Sequence, residues 1–202
     1  GDISIESQAG DRSPREGREQ KMMRAAHLLA GETLRLLHEC TNYSAEAAFA
    51  HATEDLQVDV RLPDEERVQW ARETLRRTDA GEEKDAWSIM RAYATAMLQD
   101  EFGDNPVDAL PVHAVRIGDL ALTTQPCELY CQFGLDIKRR SPAAATAVCG
   151  IADGYNGYCP TLAGIIGGGY SGEPFHWARL APEAGYRIVD TAARLLHRLW
   201  QE

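Results

Sequence analysis

Two apolar runs flank Gly118-Asp119: Val112, Ala114 and Ile117 before it, and Leu120, Ala121 and Leu122 after it. A Gly-Asp dipeptide between such runs joins antiparallel strands, so residues 111–124 read as a hairpin, and the rest of the fold has to be built around it. Residues 56–62 alternate Leu56, Val58, Val60 and Leu62 with Gln57, Asp59 and Arg61, the period of a half-buried strand. Thr146 to Ile151 reads as a short buried strand, and residues 3–8 as another entering a turn at Ala9-Gly10-Asp11. Helical patterns separate these runs. Ser13, Pro14 and Glu16 supply the N-cap, first position and capping box of a helix over about 14–39, with one face made by Met22, Met23, Ala26, Leu29, Ala30, Leu34 and Leu37. Pro63-Asp64-Glu65-Glu66 opens a second helix, running to about 78, and a third covers about 83–100 with Trp87, Ile89, Met90, Tyr93, Ala94 and Met97. A fourth, over about 127–140, ends in Lys138-Arg139-Arg140, which suits the negative end of a helix dipole. Pro182 to Trp200 closes the chain with an amphipathic helix. Strands interleaved with helices give an α/β class, a mixed sheet with packed helices. No linker or repeat divides residues 1–202, which read as one domain, with 41–109 as a helical excursion or lid.

The 202 residues are enough to bury a core without staples. A net charge of -10, from 21 basic and 31 acidic residues, argues against non-specific nucleic-acid binding, which needs a basic surface. No apolar run approaches the roughly 20 residues of a membrane span. The start, Gly1-Asp2-Ile3-Ser4-Ile5, lacks a basic and apolar leader and reads as a chain opening in mid-strand. The cysteines at 40, 127, 131, 149 and 159 contain no CxxC and are expected to be buried free thiols. Cys127 and Cys131, four apart, would share a face of a helix. His27, His38, His51, His113, His176 and His197 show no HxH, HxxH or HExxH spacing, so a complete zinc site from this chain alone is not expected.

Three segments carry residue types suited to chemistry. Gly10-Asp11-Arg12-Ser13-Pro14 is a strand-to-helix turn, whose N–H groups and hydroxyl can face an anion or an oxyanion. Ser13 is equally well explained as the helix cap. Gln125-Pro126-Cys127-Glu128 follows an apolar strand, and Glu128 there either complements a helix dipole or serves as a metal ligand or general base. Residues 152–161, Ala-Asp-Gly-Tyr-Asn-Gly-Tyr-Cys-Pro-Thr, hold Tyr155 and Tyr158 in a Gly-rich loop. Such tyrosines can stack on a ligand, donate to an oxyanion, bind a metal as phenolate, or simply pack the loop.

Taken together and in this order, the three segments resemble the neutral/alkaline non-lysosomal ceramidase family. Ala9-Gly10-Asp11-Arg12-Ser13-Pro14 is similar to its A-G-D-x-S-P segment. Arg116-Ile117-Gly118-Asp119-Leu120-Ala121-Leu122 with Pro126-Cys127-Glu128 is similar to its I-G-x-L-A-L strand and P-G-E turn. Asp153 to Thr161 is similar to its N-x-Y-x-x-Y-x-x-T segment. The resemblance covers about 1–40 and 110–200, with Cys127 in place of a glycine and Asp153 in place of an asparagine.

The resemblance implies the C-terminal half of a ceramidase-like catalytic domain, incomplete in this chain, and a zinc-dependent amidohydrolase cleaving an N-acyl bond, as in sphingolipid metabolism. It implies Zn2+ held by Glu128 and Tyr158, with Tyr155 as the alternate ligand, and a catalytic set of Ser13, Asp11 and Tyr155. Zinc with mixed ligands and an open position brings a water's pKa to about 7 and polarises a carbonyl. The family's two zinc-binding histidines lie upstream of every motif present, so the expected partner is an N-terminal half, as a second chain or another segment, that supplies both; this chain alone is expected to be inactive. The substrate expected is an N-acylated small molecule or lipid. The alternative is a ceramidase-like scaffold that binds a ligand or partner without turnover. A homo-oligomer and an exported or a reducing compartment both stay open.

Overall fold

The computed structural model describes residues 17–41, 43 and 46–201. The described residues divide into two compact units, one up to residue 47 and one from residue 48 onward. The first unit is described by α1 (Arg18–Glu39), whose cap is Gly17, with its N–H donating to Gln20 Oε1 at 3.2 Å. Met22, Met23, Leu28, Leu29, Leu34, Leu36 and Leu37 are all exposed on it. The expected start of this helix, with Ser13 and Pro14, and the expected strand at 3–8 lie outside the described residues.

The second unit is a mixed sheet with helices packed on it. In order along the chain it contains β1 (Phe49–Asp59), α2 (Glu65–Asp79), α3 (Ala86–Phe102), β2 (Val107–Ile117), β3 (Leu120–Thr124), β4 (Glu128–Leu129), α4 (Cys131–Arg140), β5 (Ala145–Cys149), β6 (Tyr158–Cys159), α5 (Leu162–Gly167), α6 (Gly169–Gly172), a 3-10 turn (His176–Ala178) and α7 (Ala184–Leu199). The main sheet has the order β1-β2-β3-β5, antiparallel except for the parallel β3–β5 pair, and β4 pairs with β6 in a second, two-stranded parallel sheet.

Alternation explains which face is covered. Ala52, Leu56 and Val58 of β1, Leu110, Val112 and Ala114 of β2 and Ala121 of β3 point to one side and are buried. Against them lie Ile188, Ala192, Leu195, Leu196 and Leu199 of α7 and Phe133 and Ile137 of α4, in a single core. Each fully buried side chain of this size contributes about 1.5–3 kcal/mol. α7 approaches α4 at Gly185, where an added Cβ would sit 2.2 Å from the Phe133 ring. On the opposite face, Phe49, Ile117 and Leu120 are exposed.

Several sequence expectations change. β1 begins at Phe49, seven residues ahead of the expected strand, because its whole length pairs with β2 from Phe49↔Ile117 to Asp59↔Val107. The 41–109 stretch is therefore not only helical: α2 and α3 pair as an excursion, while β1 is an edge strand of the main sheet. β5 alternates half-buried with exposed positions rather than being buried, since it lies at the other edge. The helix expected from 127 begins at Cys131, so Cys127 and Cys131 do not share a helical face. Of the cysteines only Cys127 and Cys159 are buried, Cys40 and Cys149 are exposed, and none is in a disulfide.

Candidate functional site

Glu128 does not sit in the first turn of a helix. It is the first residue of β4, placed beside Tyr158 of β6 by the register Glu128↔Tyr158 and Leu129↔Cys159. The Glu128 N–H donates to the Gly157 carbonyl at 2.8 Å, and the Tyr130 N–H to the Cys159 carbonyl at 3.2 Å. A two-residue ladder is too short to fix a loop alone. The preceding segment adds three further ties: Ile151 N–H to the Cys127 carbonyl (3.3 Å), Ala152 N–H to Gln125 (3.2 Å) and Asn156 N–H to Pro126 (2.7 Å). Ile151 and Asp153 are held at φ of 55° and 62°, a region side chains other than glycine enter at a cost, so this loop keeps a conformation its own residues disfavour. Gly157, at φ 75°, passes so close to the backbone at Trp177 that a Cβ would lie 2.2 Å from its carbonyl oxygen.

The three side chains converge. The Tyr155 hydroxyl donates to Glu128 Oε1 at 3.1 Å. Desolvation raises the pKa of Tyr155, and the hydrogen bond to Glu128 adds to it. Tyr158 is pushed up to about 12, by desolvation first and then by the neighbouring Glu128 carboxylate. Both phenols therefore stay protonated beside one carboxylate, and Tyr155 donates to it. On the other side of the strand pair, contact with the Cys159 thiol and burial push Cys127 well above the usual thiol range, so it stays a packing group rather than a thiolate.

A buried polar brace orders the tyrosine loop from behind. Asp108 Oδ2 accepts from Asn156 Nδ2 at 2.8 Å and from Arg179 Nε at 2.7 Å. Asn156 and Arg179 are both buried. Arg61 holds the neighbouring segment, donating to the carbonyls of Leu180 (2.9 Å), Gly172 (2.7 Å) and Ala178 (2.6 Å). Glu173 accepts from Arg67 and Arg91 at 2.6 and 2.8 Å, which ties α2 and α3 to the same segment. That segment carries a row of rings: the Tyr158 ring meets Tyr170 edge-on at 5.6 Å, and Tyr170 stacks on Trp177 at 5.1 Å and on Trp87 of α3 at 5.8 Å. Tyr155 and Tyr170 remain about half exposed, so the cluster faces a solvent-accessible side.

Of the site residues expected from the sequence, Glu128, Tyr155 and Tyr158 come together, and Ser13 and Asp11 lie outside the described residues. Among the described residues no three His, Cys, Asp or Glu side chains form a group that could hold a metal ion. The sequence pattern did not reveal two arrangements. One is the Asp108–Asn156–Arg179 brace, whose members are far apart in the chain. The other is a histidine pair: His51 Nε2 lies 3.1 Å from His113 Nδ1, with the rings stacked at 5.4 Å, and His113 Nε2 lies 3.0 Å from Asp153 Oδ2. The alternation of outward residues in β1 and β2 carried the signal for this pair, but only once β1 is extended back to Phe49.

Among the described residues no helix is long and apolar enough to cross a membrane. No family model and no curated protein matches the chain. Among solved structures the chain is similar to one described as "Ceramidase complexed with C2", at a TM-score of 0.41 and 21% identity, over 46% of this chain and 15% of that one. The chain thus spans a small part of the length of the structure it matches.

Proposed function

We propose that this chain supplies part of the active site of a zinc-dependent hydrolase that cleaves an N-acyl amide bond, in the manner of the neutral/alkaline ceramidases. The observation that carries the reading is the convergence of Glu128, Tyr155 and Tyr158 on one carboxylate-centred cluster at the end of a strand pair. The order of the three sequence segments supports it. Glu128 is a suitable zinc ligand, and Tyr158 stands next to it. In this reading the two imidazoles that the resemblance implies are supplied by an N-terminal half, as a second chain or another segment. Zinc bound there supplies a Lewis acid that polarises the amide carbonyl.

The chain's own residues do the rest. Glu128 accepts from Tyr155 and so fixes the direction of its hydroxyl. Tyr155, half exposed, is placed to turn its hydroxyl to a carbonyl oxygen that gains charge as the amide is attacked. The resemblance gives Ser13 the role of nucleophile or oxyanion stabiliser and places Asp11 in the catalytic set. The rings of Tyr170, Trp177 and Trp87 beside Tyr158 form an apolar wall that suits an acyl group rather than a charged one.

The test is hydrolysis of N-acylated substrates of graded chain length by the assembly that contains both halves. Glu128→Gln lowers kcat/KM by at least about 10²-fold, and Tyr155→Phe by about 10- to 10²-fold, mostly in kcat. Undiminished hydrolysis by Glu128→Gln contradicts the reading.

A further inference from the structure

We propose that His51 and His113, chained to Asp153, form an acid-sensitive clasp on the edge strand β1. The pair keeps its ring-to-ring hydrogen bond with one added proton and loses it with two, which opens the 49–53 end of β1 from β2. The inference does not depend on the hydrolase reading.

Strand register brings the rings together. His51 pairs with Val115 and Thr53 with His113, so the two histidines are diagonal neighbours on the outward face of β1 and β2. Their ring centroids lie 5.4 Å apart with planes 14° apart, and His51 Nε2 is 3.1 Å from His113 Nδ1, so the imidazoles join end to end. On the far side His113 Nε2 donates to Asp153 Oδ2 at 3.0 Å. The titratable groups flanking the pair on this face are Asp55, two positions beyond Thr53 on β1, and the exposed Cys149 of β5, level with His113 across Thr124. Arg116, further along β2, points to the other face, where it donates to the Leu199 carbonyl at 2.8 Å.

Counting protons makes the pair a switch. The Asp153 carboxylate only accepts, so neutral His113 carries its proton on Nε2 and offers the Nδ1 lone pair to the His51 Nε2–H. One added proton sits on the other nitrogen of His51 and still leaves a single hydrogen between the rings. A second added proton puts two N–H groups and two positive charges across the 3.1 Å gap, and the bond is lost. Histidine is the side chain whose charge changes between pH 5 and 8, so mild acid supplies that proton. The 49–53 end is the part of β1 that can yield. Its inward residues, Ala50 and Ala52, are small, whereas Leu56 and Val58 further on are larger and buried in the core. Glu54 is held to α7 by Arg194 at 2.7 and 2.8 Å, which stops the opening there. Among the described strands β1 pairs with β2 alone, so no second ladder holds this end.

The experiment is native-state hydrogen exchange of the full chain at about pH 7.5 and about pH 5, read residue by residue as protection factors. An opening that takes up one further proton grows about tenfold per pH unit below the ordinary histidine value of about 6.5. Protection of the paired amides in 49–53 is therefore expected to fall about 10- to 30-fold in wild type, while the amides of 56–59 keep theirs. His51→Gln and His113→Gln each keep a hydrogen-bonding side chain that does not titrate, and both give a flat profile, with circular dichroism showing a folded protein. If a variant fails to fold, the other variant and the wild-type pH dependence still decide. Protection of 49–53 unchanged by acid in wild type, or falling equally in His51→Gln, overturns the proposal.

Discussion

At the residue scale, the candidate site is a carboxylate that two neutral phenols address. Tyr158, pushed up to about 12, and Tyr155, also raised, keep their protons wherever ordinary tyrosines begin to lose theirs, near pH 10. A phenol whose pKa is higher folded than unfolded contributes stability below the unfolded value. That contribution is lost as pH rises through the folded one. Stability is thus expected to decline between about pH 10 and 12, and Glu128→Gln, which removes the negative charge beside both phenols, is expected to shift tyrosinate absorbance to lower pH. A titration unaltered in Glu128→Gln would separate the phenols from the carboxylate. The brace behind them gives a second expectation at this scale. Asp108→Ala leaves the Arg179 guanidinium buried without its carboxylate, a loss of about 3–5 kcal/mol that urea unfolding would read. The sequence marked Glu128, Tyr155 and Tyr158, because their residue types and neighbours are local. It could not mark Asp108, whose partners Asn156 and Arg179 are 48 and 71 residues away.

At the level of elements, local chemistry made much of the fold legible. The Gly118-Asp119 turn sets the β2–β3 hairpin, Asp64 caps α2 by accepting from the Arg67 N–H, and the apolar stripe of α7 faces the core. Pairing partners were not legible, and the errors follow from that. The Phe49 end of β1 is not legible because His51, Thr53 and Asp55 break the apolar run, yet they occupy the outward positions of a strand whose inward residues there are Ala50, Ala52 and Glu54. Glu128 was placed on a helix because β4 is only two residues long and exists through β6. The β4–β6 join depends on Gly157, which combines a positive φ with contact against the Trp177 carbonyl. Gly157→Ala meets both the left-handed backbone cost of about 1–2 kcal/mol and the clash. It is expected to destabilise by at least about 2 kcal/mol, read by urea unfolding. Wild-type stability in this variant would show that the loop can take another path.

For the molecule as a whole, the described chain brings a carboxylate and two phenols to one end of a strand pair and leaves apolar residues exposed on the outer sheet face and on α1. The proposed function reads the first of these as part of a catalytic site that another part completes. Zinc stoichiometry in that complete assembly tests this most directly. One zinc equivalent is predicted to disappear in Glu128→Gln, as expected if it belongs to the Glu128–Tyr158 cluster. Full zinc content in Glu128→Gln would contradict the account.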